Sequence, residues 1–266
     1  MGFSKNHLRD PNNSNDFRSY RRTVFRAYAN FLRERIQTNY DWAVKFIMWL
    51  RQYLYYLKME RSFSPTYLPR YTCGQIVLIN FGFRLGNEIG GAHYGIVLDN
   101  DNRKKSGFIT IVPMISKKQR HFDYGLSPWE YELPFPISQL IIEKALKQIA
   151  DTPSADIYDD IIKAMSQGDG NSSNCPTLPD AITFDKQLQK RVEPLFTLAQ
   201  KMSKGSIVDT RQIITVSKIR IITPVKAADE LTNICIPCDS LQQIREKIAK
   251  NYILPAESLD NAANKQ

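Results

Sequence analysis

Apolar and polar positions change their period along this chain, and the changes divide it. Between Asp16 and Tyr40 the apolar side chains fall at Val24, Phe25, Tyr28, Phe31, Leu32 and Ile36. That spacing predicts one helix, with Asn15 or Asp16 as its cap. Phe46, Trp49, Leu50, Tyr53, Leu54 and Leu57 form a second stripe and predict a helix over 41–58. The stretch 46–57 is almost wholly apolar or aromatic, yet it falls short of the roughly 20 residues that a bilayer needs. Lys45 and Arg51 also interrupt it. A breaker-rich linker with Pro65 and Pro69 follows, and the period then becomes extended. Residues 75–80, 94–99 and 108–115 read as strands. A loop over 81–93 holding Gly82, Gly86, Gly90 and Gly91 joins the first two. Asp99-Asn-Asp-Asn102 is turn chemistry rather than a metal-binding pair of acids, and Ser106-Gly107 is a second turn. Short strands joined in this way predict a small antiparallel barrel.

Beyond residue 117 the pattern is mixed. Residues 129–133 alternate as a strand, and 137–149, 156–165 and 184–202 read as helices. A disordered loop is expected over 166–179. Strands return at 206–210, 211–216 and 219–224. A helix capped by Asp239 or Ser240 closes the chain at about Asn251, and a disordered tail is expected from Pro255. The fold class expected is α+β: an SH3-like antiparallel barrel with an N-terminal helical hairpin, a helical insertion and a C-terminal helix. The domains expected are 1–70, 71–254 with the insertion over about 117–204, and the tail 255–266.

Composition changes this picture little. Hydrophobic residues make up 42% and charged residues 24% of the 266, ordinary values for a globular chain. Charge changes it more. The formal net charge is +9, and residues 1–70 hold 13 Lys and Arg against 5 Asp and Glu, a net +8. Such a balance favours anionic partners: RNA, an acidic protein or a membrane surface. Three readings of the N-terminal helices stay open. They can pack their aromatic stripe on the rest of the protein, contact RNA or a second copy, or lie in a membrane interface.

The four cysteines are Cys73, Cys175, Cys235 and Cys238. Residues 1–15 lack the apolar core of a secretory signal, so a reducing cytoplasm is the expected setting. Cys235-Ile-Pro-Cys238 has the CxxC spacing. A zinc site needs a second ligand pair, which His7, His93 and His121 are not spaced to supply. With Ile234 and Ile236 beside them, the thiols read as structural rather than redox or metal ligands. No cofactor and no metal are expected.

Several blocks carry a family resemblance. Gly74-Gln-Ile-Val77 opens a strand. Gly86-Asn-Glu-Ile-Gly-Gly-Ala-His-Tyr94 and Gly95-Ile-Val-Leu98 follow, and Val112-Pro-Met-Ile-Ser116 ends the third strand. Ser206-Ile-Val-Asp-Thr-Arg-Gln-Ile-Ile-Thr-Val-Ser-Lys-Ile-Arg220 is a later ungapped block. Together they resemble the MazF/PemK/Kid toxins, small endoribonucleases of type II toxin–antitoxin systems. The family's arginine in the glycine loop falls on His93 and its proline on Tyr94. The long connection between the blocks and the basic N-terminus are additions to the family's pattern.

The resemblance implies metal-independent cleavage of single-stranded RNA, leaving a 2′,3′-cyclic phosphate and a 5′-OH. A non-catalytic RNA- or protein-binding barrel of the same fold is the alternative. Histidine exchanges a proton near neutral pH, so His93 can take the acid or base role where arginine could act only as a cation. Ser116 would donate a hydrogen bond to the phosphate. Glu88 would orient His93, fix the loop, or simply be solvated. Gly90 and Gly91 would allow a tight bend and close approach of the substrate backbone. Gln212 would contact a base or fix the loop. Lys218 and Arg220, at alternating positions of an expected strand, would share one face and touch phosphate or solvent. An acidic antitoxin and a homodimer are expected as partners; a membrane is not.

Overall fold

The computed structural model describes residues 3–150 and 186–253. The expected helix over 156–165, the loop over 166–179, Cys175 and the tail from 255 lie outside the described residues. The chain forms two compact units, Met1–Met59 and Glu60–Gln266.

The first unit is a helical hairpin. A short helix, α1 (Lys5–Arg9), precedes α2 (Ser14–Thr38) and α3 (Tyr40–Met59). One residue, Asn39, separates the long helices. Its N–H donates to the Arg35 carbonyl, ending α2, and its side-chain oxygen accepts from the Trp42 amide, starting α3. Asparagine suits both tasks because its short polar side chain replaces a missing helical partner. The aromatic stripe joins the two helices. Tyr28 stacks on Phe46 and Phe31 meets Trp42 edge-on at 5.5 Å. The Arg35 guanidinium lies over both Phe31 and Trp42.

Among the described residues the second unit holds seven strands: β1 (Ile76–Asn80), β2 (Ala92–Val97), β3 (Phe108–Ser116), β4 (Glu130–Glu132), β5 (Ser206–Asp209), β6 (Ile214–Ser217) and β7 (Ile221–Thr223). All pairings are antiparallel. The order is β4-β5-β3-β2-β1-β7, with β6 paired to the first half of β3. The barrel expected from the strand pattern is therefore not closed, because β4 and β7 do not pair. Helices α4 (Gln119–Asp123), α5 (Ile137–Ala150), α6 (Lys186–Lys201) and α7 (Cys238–Tyr252) complete the unit.

The sheet has a core on each face. Val77, Ile79, Val97, Ile109, Ile111, Val216 and Ile221 pack together on the face turned inward between β1–β3 and β6–β7. Ile76, Ile96, Val112, Met114 and Val208 point the other way and are covered by Ile141 and Ala145 of α5, Val192 and Phe196 of α6, and Ile244 of α7. Alternation along each strand produces this division. Lys144 of α5 donates to three backbone carbonyls, those of Asp229, Glu230 and Thr232, and so ties α5 to the segment before α7.

Several expectations shift locally. The strand expected over 211–216 begins as a 3-10 turn at Thr210–Gln212, because Asp209 caps it by accepting from the Arg211 amide. The strand expected from 219 is likewise preceded by a 3-10 turn at Lys218–Arg220. The last helix starts at Cys238, before either expected cap. Ile234 and Ile236 are buried, but the Cys235 and Cys238 thiols are exposed, so those two cysteines are not part of the packed interior.

Candidate active site

His93 lies in β2 opposite Ile79 of β1. Its half-buried ring meets the Phe81 ring edge-on at 6.3 Å, on the inward face of the sheet. Burial pushes its pKa below the ordinary histidine value. The Gly90 backbone acts in the opposite direction, and the Lys118 charge adds to the lowering. The imidazole is accordingly neutral at pH 7, with one nitrogen lone pair able to take a proton.

The loop between β1 and β2 is closed at its base. The Phe81 amide donates to Gly91 and the Gly91 amide to Gly82, at 2.8 and 2.7 Å. Gly91 has φ +81°, where a side chain is strained. At Gly90 a Cβ would lie 2.8 Å from both the amide nitrogen and the Cβ of Arg84, so only glycine fits this crossing. Glu88 accepts from the Leu85 amide at 3.1 Å and makes no contact with His93: it fixes its own loop. Gln212 reaches in from after β5. Its side-chain oxygen accepts from the Ile89 amide, and its amide group donates to the Asn87 carbonyl and to Asp209. Its hydrogen-bonding capacity is spent on holding the loop.

Ser116 does not join this group. Alternation along β3 sets Ser116 on the face of Val112 and Met114, and it pairs with Ser206. The pairing of β2 with β3 ends at Gly95 and Pro113, and alternation along β3 sets Ile115 on the same face as His93. Ile115 opposes Ile207, and Ile207 opposes Glu132. Glu130 and Asp209 oppose each other one step further along that face. Beyond the inward core, the side chains on His93's face toward β4 are Ile115, Ile207, Glu132, Glu130 and Asp209.

Those acids are all paired. Lys117 meets Glu132 at 2.6 Å, Arg120 meets Glu130 at 2.5 Å, and Arg211 meets Asp209 at 3.2 Å. Glu130 is fully buried, and its second oxygen accepts from the Ser127 amide. Burial pushes its carboxyl up, but the Ser127 amide and the Arg120 guanidinium outweigh that and bring it down to about 2. His121, also buried, faces Glu130 at 3.5 Å and accepts from the Lys118 amide at 2.8 Å. This network fixes the backbone of Lys118, and among the described residues the Lys118 ammonium has no carboxylate partner.

Lys218 and Arg220 part company. Because they stand in a 3-10 turn, they do not share a strand face. Lys218 is 1% exposed. Its ammonium donates to the Arg103 carbonyl and sits over the Tyr71 ring, and burial lowers its pKa. It is a core residue and cannot meet a phosphate. Arg220 is half-buried and donates to the Phe81 carbonyl, next to the ring that contacts His93. Sequence reasoning missed Lys118, whose one local signal is the lysine pair directly after Ser116. Among the described residues no group of three His, Cys, Asp or Glu could hold a metal ion, and no helix is long and apolar enough to cross a membrane.

Residues 72–148 match the family described as PemK-like, MazF-like toxin of type II toxin-antitoxin system. The match takes in β1–β4, the glycine loop, His93, Lys118, the Glu130 network and most of α5. The later block at 206–220, which pairs with β3, falls outside the matched residues. No curated protein matches the chain.

Proposed function

We propose that this protein is the toxin of a type II toxin–antitoxin pair and that it cuts single-stranded RNA by attack of a 2′-OH on the adjacent phosphate. One observation carries the reading: a half-buried histidine, its pKa lowered by burial and further by the Lys118 charge, stands beside the glycine loop of a PemK-like sheet. His93 takes the 2′-OH proton. The 2′-oxygen bonds to phosphorus, the bond to the 5′-oxygen breaks, and that oxygen takes a proton from water. Lys118 and Arg220 hold the charge that grows on the phosphate. Gly90 and Gly91 let the RNA backbone approach the loop. DNA lacks the attacking hydroxyl and is left intact. An acidic antitoxin covering Lys118 and Arg220 is the partner this charge pattern fits, and a homodimer is the expected assembly. The test is cleavage of an RNA oligomer in EDTA, with 2′,3′-cyclic phosphate and 5′-OH ends among the products. Intact RNA at high concentrations of folded protein sinks the reading.

One observation favours a second reading. The last β3 residue on His93's face is Ile115, which offers no hydrogen bond to a phosphate. In that reading the sheet binds RNA without cutting it. The protein then retards RNA in a gel, with affinity falling steeply in salt, and never shortens it.

A further inference from the structure

The N-terminal hairpin leaves an apolar face uncovered. α3 carries two seams at the alternating three- and four-residue spacing of helix-packing positions. Trp42, Phe46, Trp49 and Tyr53 form the first, a continuous run of ring contacts that also meets Tyr28 and Phe31 of α2. Ile47, Leu50, Leu54 and Leu57 form the second, one position later. α2 repeats the arrangement. Tyr28, Phe31 and Arg35 meet α3, and Ala29, Leu32 and Ile36 follow one position later, with Phe25 completing their seam. A step of one position is a rotation of about 100°. The helices run antiparallel, so the two rotations turn both second seams to the same side of the hairpin. Phe25 is 67% exposed, Leu54 52%, Leu57 48%, Ile36 47% and Ile47 46%. A contiguous apolar surface of this kind marks an interaction site.

Cations rim that face. Arg18 and Arg22 continue the second seam of α2, and Arg26 and Arg33 flank it. Arg51 and Lys58 flank the seam of α3. None of the six has a carboxylate partner among the described residues. Residues Met1–Met59 hold 11 Lys and Arg against 4 Asp and Glu, a net +7.

We propose that this face docks on an anionic lipid bilayer, with the hairpin lying along the surface and its apolar side in the headgroup–acyl boundary. Two features of the face must be met together, and the occupants differ in which they meet. A second copy would cover the leucines but bring one +7 surface against another. RNA would neutralise the arginines but leave Ile47, Leu54 and Leu57 without apolar cover. Acyl chains cover the aliphatic seam, while anionic headgroups meet arginines whose long stems reach outward from it. α3 also exposes Val44, Met48 and Tyr55 beyond the seam, which lipid can cover and a single docked helix cannot. Tyr55, exposed beyond the seam, is of a side-chain type that favours this depth. Among the described residues no helix is long and apolar enough to cross a bilayer, and the association proposed is peripheral.

The full-length protein tests this by co-sedimentation with phosphatidylcholine vesicles that contain phosphatidylserine, compared with phosphatidylcholine alone. Binding to the anionic vesicles is expected, with about tenfold or greater weakening on the neutral ones. Leu54→Asp and Arg22→Glu, both at exposed positions, should each weaken it about tenfold with unchanged circular dichroism. Failure of folded protein to sediment with anionic vesicles overturns the proposal, as does equal binding to both vesicle types. It is also overturned if Leu54→Asp leaves vesicle binding intact and instead abolishes binding of a single-stranded RNA or dissociates a dimer seen by light scattering. RNA cleavage reports separately on the ribonuclease reading, since neither substitution lies near His93 in the sequence or among its contacts.

Discussion

Two segments bear on His93, one adjoining it in sequence and one bringing the Lys118 charge to it, and they are held in opposite ways. The glycine loop over 81–92 is built from backbone. Its glycines adopt conformations closed to other residues, its base is closed by main-chain bonds, and one neutral side chain, Gln212, reaches across to pin it. The segment over 117–132 is built from charge, with the Arg120 and His121 side chains and the Ser127 amide around the buried Glu130 carboxylate. The first arrangement draws on ionised groups only at its margins, where Glu88 accepts from the Leu85 amide and Gln212 donates to Asp209. The second depends on a carboxylate remaining ionised out of water. The difference assigns each segment a separate failure, and both can be separated from the chemistry at His93.

The largest effect is expected at the chemistry itself. His93→Ala should reduce RNA cleavage in EDTA at least about 100-fold, the usual yield of a general base, with the unfolding transition nearly unchanged. The wild-type rate should also carry a pH signature. A base works when neutral, and the folded pKa of His93 lies below the ordinary value of 6.5. The rate should therefore be level at pH 7 and fall as pH drops through a midpoint below 6.5. A midpoint above 6.5 in kcat/KM would count against His93 as the base.

Next comes the charged segment. Glu130→Gln leaves Arg120 unpaired and weakens the acceptor for the Ser127 amide, a loss of about 2 kcal/mol in urea unfolding. The sign with pH follows from the depressed carboxyl. Stability contributed by Glu130 is complete above its ordinary value of 4.5 and is lost as pH falls toward about 2. The wild type should lose stability across that interval, and Glu130→Gln should lose less. Equal acid sensitivity in both would mean that the network does not hold the segment.

The two segments were also unequally legible. The glycine loop is visible locally as four glycines between two strands, a pattern that means little alone and gains force from the blocks around it. The charged segment has no local signal: Arg120 and His121 find Glu130 across a turn, and Glu130 is set opposite Asp209, which arrives about 80 residues later. Lys218 shows the opposite error. The alternating pattern seemed to run through Ser217, but the Ser217 hydroxyl accepts from the Ile219 amide and turns the chain into a 3-10 turn. A strand position became a core position. Alternation along β3 sets Ser116 on the face of Met114, a side that a serine at a strand end does not announce in the sequence.

A smaller effect is expected when the glycine loop alone is loosened. Gln212→Ala removes the acceptor for the Ile89 amide, a loss of about 1 kcal/mol. Amide hydrogen exchange should quicken at Ile89 and its neighbours and leave 117–132 as slow as before. If both segments loosen together, they form one cooperative unit and the contrast between them disappears.

The smallest effect is expected at Ser116, and it is the sharpest check on the geometry. Serine at the end of a strand beside a catalytic histidine suggests a phosphate donor. The register instead turns its hydroxyl to the face of Met114 and sets it opposite Ser206, with Ile115 on the side of His93. Ser116→Ala should then change RNA cleavage less than about twofold, because a side chain on the far face cannot reach the phosphate that His93 serves. Placing a hydroxyl on the correct face is the complementary experiment. Ile115→Ser should raise cleavage, or create it if the wild type only binds, since it adds a hydrogen-bond donor on the imidazole's face. A large loss in Ser116→Ala, with no gain in Ile115→Ser, would show that β3 is turned over at its end in solution and that Ser116 belongs to the site.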